Sequence, residues 1–141
     1  MTILSNPSEA RIRSILSDSK TIAVVGISDR ECRASKYVAE YMRSAGYTIY
    51  PVNPNLDDWN GLKVFDSILD IPAEIDIVDV FRRPEFVMPV AEDAVKVGAR
   101  VFWLQQGIIN YEAAELVLNA GTTVVMDSCI MVEHRSMKLS S

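Results

Sequence analysis

The chain of 141 residues predicts a doubly wound α/β fold, in which a mainly parallel sheet of five or six strands lies between two helical layers. Two observations carry this. Short apolar runs alternate along the whole chain with segments whose apolar residues recur at helical spacing. The first of these runs, TIAVVG at residues 21–26, has no polar alternation, as expected of a central strand covered on both faces.

The elements follow in order. Asn6-Pro7-Ser8-Glu9 reads as a helix start, with Asn6 as N-cap, Pro7 in the first turn and Glu9 reaching back. Ile12, Ile15 and Leu16 give that helix an apolar face. After the strand at 21–26 and a polar loop, Tyr37, Val38, Tyr41, Met42 and Ala45 predict a helix that Gly46 closes in a left-handed conformation. A second strand spans 47–52 and is stopped by Pro51 and Pro54. Asn60-Gly61 makes a turn before a short edge strand at 63–65, and Asp66 caps a single helical turn.

The cycle then repeats. A strand at 75–81 precedes a helix from Pro84, with Phe86, Val87, Val90, Ala91, Ala94 and Val95 on its buried side and Gly98 at its end. A strand at 100–104 leads to a helix capped by Asn110, and the last strand spans 122–126. Right-handed crossovers and a strand order 3-2-1-4-5, with an additional edge element, are expected. No internal boundary interrupts the pattern, so residues 1–141 form one domain, with the helix in 1–19 packed on it and 138–141 as a frayed tail.

Composition narrows the function. A net charge of −5 opposes nonspecific attraction to nucleic acid. No apolar run reaches the roughly 20 residues of a membrane span. Cys32 and Cys129 have neither CxxC nor Cys/His ligand spacing, which indicates reduced thiols in cytoplasm rather than a disulfide or zinc site. Against the acidic background, Arg30, Arg33 and Lys36 cluster after the first strand, and Arg82 and Arg83 follow a later one. Such basic spots suit a small anion.

In doubly wound sheets ligands bind beyond the carboxyl ends of the strands. Those ends carry Gly26-Ile27-Ser28, Val52-Asn53-Pro54, Phe81-Arg82-Arg83, Gln105-Gln106-Gly107 and Asp127-Ser128-Cys129. The loop after Gly26 presents amides near a helix N-terminus, with the hydroxyls of Ser28 and Ser35 and the nearby cations, an arrangement that fits phosphate. Only Gly26 of the G-x-G-x-x-G pattern is present, the second strand ends without an acid, and no P-loop occurs. A usual dinucleotide site or ATPase site is therefore not indicated.

The segments VVGISD, YPVNPN, DIVDVFRRPE, GARVFWLQQGI and VVMDSCIMVEH, in this order, resemble the small CoA-binding proteins related to the CoA-binding domain of the succinyl-CoA synthetase α subunit. The resemblance covers roughly residues 10–137. It implies a Rossmann-like domain that binds coenzyme A or an acyl-CoA noncovalently, as a carrier or regulatory module. By the match, Gly26, Ile27 and Ser28 lie beside phosphate, with Arg33, Ser35 and Lys36 at the start of the next helix. Val52, Asn53 and Pro54 match a corner near the adenosine portion, and Phe81, Arg82 and Arg83 a segment near adenine and pantetheine. Phe81, Trp103, Gln105 and Gln106 supply a channel for the pantetheine arm.

Cys129 completes the set of candidate ligand contacts. A Cys129/His134 nucleophile is conceivable from their proximity in sequence, but a buried structural thiol is the favoured reading, with His134 on the surface. Neither the synthetase's histidine-bearing domain nor its second subunit matches this chain, so autonomous ligase activity is not expected. Two alternatives stay open: an NAD(P)-dependent oxidoreductase with an atypical loop, or a subunit of an acyl-CoA-handling enzyme. The protein partners considered are a second copy of the chain or a partner enzyme.

Overall fold

The computed structural model describes residues 5–139. Among these residues, five α-helices and seven strands follow one another as α1 (Glu9–Asp18), β1 (Thr21–Val25), α2 (Ala34–Ser44), β2 (Thr48–Val52), β3 (Asp58–Trp59), β4 (Leu62–Lys63), β5 (Ile77–Val80), α3 (Val87–Val97), β6 (Val101–Leu104), α4 (Tyr111–Asn119), β7 (Thr123–Val125) and α5 (Ile130–Leu139). Among the described residues, no helix is long and apolar enough to cross a membrane.

The main sheet has the order β2-β1-β5-β6-β7. All four pairings are parallel, with Val25 opposite Val52 on one side and Val80 on the other. This is the Rossmann-like architecture expected from the alternation. The edge element at 63–65 is split: Leu62–Lys63 pairs antiparallel with Asp58–Trp59, and Phe65 alone bridges Val52 in parallel. Counting Phe65 as the edge, the order is the one read from the sequence, and β7 is the added element.

Helices cover both faces. On one, Ala23, Val25, Val78, Val80, Phe102 and Leu104 pack against α3 and α4. On the other, Ile22, Val24, Ile77 and Trp103 pack against α1, α2 and α5. β1 is buried on both sides, which explains why its sequence lacks alternation.

Several sequence expectations are corrected. Ser8, not Asn6, caps α1, accepting a hydrogen bond from the Arg11 amide. The Asn6 side chain is committed to the residue that follows β7: its amide nitrogen donates to the Met126 carbonyl at 2.7 Å and its oxygen accepts from the Met126 amide at 2.8 Å. An amide side chain that both donates and accepts satisfies one edge residue completely, which a capping role would forgo. Ser67, not Asp66, caps the 3-10 turn Ile68–Asp70.

Tyr37 and Phe86, expected on buried faces, are exposed. The helix α5 was not anticipated, because its sequence shows no clean stripe; it is held by tertiary packing of Ile130, Met131 and Met137. Lys138, expected in a frayed tail, belongs to this helix, whereas residues 140–141 lie outside the described residues.

Candidate functional site

A cleft of about 550 Å³ opens at the carboxyl ends of β1, β2 and β5. Gly26, Ile27, Ser28, Asp29 and Arg30 form one wall, Arg33, Ala34 and Ser35 at the start of α2 a second, and Asn53, Asn55, Leu56 and Phe81 the rest.

The loop after β1 is held rigidly from its carbonyl side. The Asn53 side chain donates to the Ile27 carbonyl at 2.8 Å, and the buried Trp59 indole donates to the Ser28 carbonyl at 2.9 Å. Asn53 is itself fixed, because its side-chain oxygen accepts from the Asn55 amide at 2.8 Å. With these two carbonyls bonded on the protein side, and the Gly26 and Arg30 amides engaged by Val52 and Ser28, the amides of Ile27, Ser28 and Asp29 are the loop's donors left to a ligand. Ser28 turns the chain by accepting from the Arg30 amide at 3.1 Å.

Gly26 has a φ of +84°, and a Cβ there would lie 2.5 Å from the Phe81 carbonyl oxygen. Its glycine is therefore demanded first by the neighbouring strand end rather than by a ligand. This close approach draws the ends of β1 and β5 together and seats Phe81 at the cleft.

At the start of α2, Arg33 occupies the N-cap position and its side chain forms no capping hydrogen bond. The first amides of this 11-residue helix therefore receive no side-chain acceptor, and Ala34 and Ser35 line the cleft. Uncapped amides at the positive end of the helix dipole, joined by the exposed Arg30 and Arg33, give this end of the cleft a positive potential. Asp29 is the one acid in the lining and gives the cleft an acceptor as well.

A family model described as a CoA binding domain matches residues 20–135. The chain belongs to this family. Over 135 residues it is 49% identical to the uncharacterized protein YneT of Bacillus subtilis, covering 96% of this chain and 100% of that one. A solved structure of a hypothetical protein from Pyrococcus horikoshii is 37% identical and superimposes with a TM-score of 0.92, covering 98% of this chain and 99% of the other. An ADP-forming acetate–CoA ligase of Methanocaldococcus jannaschii is 31% identical over 86 residues, which span 60% of this chain and 12% of that protein.

The fold of this CoA binding domain brings Gly26, Ile27, Ser28, Arg33, Ser35, Asn53 and Phe81 together in the cleft. It sends the other candidates elsewhere. The Lys36 ammonium is held by Glu40 at 2.7 Å and Glu31 at 3.1 Å. The hydrogen bond that Lys36 donates to the Glu40 carboxylate is the main reason its pKa is raised, and the same bond lowers that of Glu40. Lys36 thus braces the loop against α2. Val52 is buried, and its carbonyl accepts from the Gly26 amide at 2.9 Å.

Pro54 lies between two lining residues without lining the cleft itself, and Arg83 is exposed outside it. Arg82 lines a second, smaller cavity. Gln105 is buried and accepts from the Ile130 amide at 3.1 Å, so it anchors the start of α5. Cys129 is half-buried against the cluster of α1, α2 and α5. His134, expected at the surface, is buried instead: its Nδ1 is 2.9 Å from the Tyr41 hydroxyl, and its ring meets Tyr41 and Tyr47 edge-on. Cys129 takes no part in that contact.

Asp29, Asn55 and Leu56 join the cleft although the sequence did not single them out. Asn55 stands within the VNPN turn, and that turn's position after a strand was the available signal. Asp29 and Leu56 enter through loop shape, which no local pattern encodes.

Proposed function

We propose that this cleft binds coenzyme A or an acyl-CoA noncovalently and that the chain serves as a carrier or regulatory module. The observation that carries the reading is the uncapped N-terminus of α2 facing a loop whose carbonyls are bonded on the protein side, with Arg30 and Arg33 at the same opening. Membership of the CoA binding family supports it. The loop amides and the helix amides take the pyrophosphate, the arginines neutralise it, and Asn53, Asn55 and Leu56 carry the adjoining portion of the nucleotide.

The reaction named for the archaeal ligase belongs to a protein of which this chain matches 12%. We assign to this cleft the binding part of such a task. A dinucleotide reading is disfavoured by the end of β2, where Val52-Asn53 stands in place of the acid that grips ribose hydroxyls.

Isothermal titration at fixed salt with CoA, acetyl-CoA, NAD and ATP tests the reading. CoA and acetyl-CoA bind one to one and more tightly than NAD or ATP. Arg33→Ala weakens CoA by about tenfold or more, the worth of a charged hydrogen bond. Binding of NAD with none of CoA overturns the proposal.

A further inference from the structure

Arg82 stands between two cavities. The smaller, about 120 Å³, is lined by Val25, Val52, Asp66, Arg82 and Asp93 among others, on the face of the sheet covered by α3. Val25 and Val52 line it, whereas Gly26 and Asn53, the residues that follow them, line the large cleft. The stem of Arg82 comes up to this boundary from the side of the smaller cavity, with its Cδ 3.7 Å from the position a Cβ on Gly26 would take.

The guanidinium is poorly satisfied where it lies. Its Nε is enclosed without a hydrogen-bond partner. Asp66 and Asp93 line the same cavity, yet among the described residues neither is joined to Arg82 by an ion pair. An enclosed donor without an acceptor is costly, and leaving this position breaks no ion pair. A phosphate on the Gly26 loop offers the planar, charged pair of acceptors that a guanidinium binds best.

We propose that Arg82 is a moving clamp: its guanidinium rests over the small cavity near Asp66 and Asp93 and turns about its stem into the large cleft to grip a ligand phosphate. This rests on the CoA reading above and adds to it a conformational step on binding. Asp66 and Asp93 set the bias, since their charge attracts the guanidinium toward the resting position without bonding it there.

The test uses the full chain with Arg82→Met, Arg82→Lys and Asp93→Asn, measured by thermal unfolding and by titration with CoA and with pantetheine, which lacks phosphate. Arg82→Met leaves the melting temperature of the ligand-free chain unchanged or higher, because an unsatisfied donor is removed. It weakens CoA by about tenfold or more, and Arg82→Lys restores part of the loss. Asp93→Asn tightens CoA modestly. In the wild-type chain the Arg82 Nε–H resonance shifts with CoA and not with pantetheine.

An Arg82→Met chain that binds CoA as tightly as wild type overturns the clamp alone, whether or not it melts lower. A fixed Arg82 Nε–H resonance through saturation with CoA does the same. Wild-type chain that binds no CoA overturns the functional reading and the clamp with it.

Discussion

Replacing Gly26 by alanine tests how the cleft is built. The added Cβ lies 2.5 Å from the Phe81 oxygen, against ordinary contact at 3.4 Å or more, so the two strand ends must separate by about 0.9 Å. Two backbone hydrogen bonds stand in the way: Gly26 to the Val52 carbonyl at 2.9 Å and Phe81 to the Val25 carbonyl at 2.8 Å. Loss of one such buried bond costs about 1–3 kcal/mol. The left-handed backbone adds about 1–2 kcal/mol for a residue with a Cβ.

The sum is about 2–5 kcal/mol, which for a chain of this size lowers Tm by about 6–15 °C. Thermal and urea unfolding without ligand measure it, and CoA titration of the folded variant should show weaker binding. A Tm within about 2 °C of wild type would refute the reasoning, because the close approach to Phe81 would then carry no cost.

Three further outcomes follow from buried or paired ionisable groups. Asp79 is fully enclosed in β5, one of its carboxyl oxygens has no partner, and burial raises its pKa well above the usual range. Its contribution is therefore present in acid and lost as pH rises from the unfolded value near 4 through the folded one, and Asp79→Asn should flatten that part of a stability profile measured by urea unfolding. His134 has the opposite sense: burial, then the charge of Lys138, lowers its pKa, so stability is lost as pH falls below about 6.5 toward the folded value. His134→Gln should remove this loss, and a histidine resonance titrating at or above 6.5 in the folded wild type would contradict it. Lys36→Met should change CoA affinity by less than about threefold, unlike Arg33→Ala, because its charge is already engaged by Glu31 and Glu40. Equal losses in both variants would place Lys36 on the ligand.

Much of the fold was legible because each strand of the main sheet and most helices announce themselves locally, whereas the short pair Asp58–Trp59 with Leu62–Lys63 does not. The uniform apolar run of β1 reports burial on both faces, and Asn110 caps α4 as its position suggests, accepting from the Ala113 amide at 3.0 Å. Where tertiary contacts decide, the sequence was silent. Asn6 looks like a helix cap but spends its amide on Met126, far along the chain. α5 owes its place to the sheet face it covers, and His134 is buried by Tyr41 of α2 and Tyr47 just before β2.

The site divides in the same way. Residues at the ends of β1 and β2 and at the start of α2 were found because topology alone puts them at one rim. Lys36 was read as a ligand cation because its charge is visible in sequence, whereas its two carboxylate partners are visible only in space. Gln105 likewise reads as a free amide at a strand end but holds α5.

The reading stands on the amides of Ile27, Ser28, Ala34 and Ser35 at the sheet's carboxyl rim receiving the phosphates of CoA. Amide chemical-shift mapping of the labelled chain during CoA titration tests it most directly. The account requires the largest shifts at Ile27, Ser28, Ala34 and Ser35, with Asn53 and Phe81 following. Saturable binding of CoA that leaves those amides unmoved, with shifts elsewhere on the surface, would contradict it.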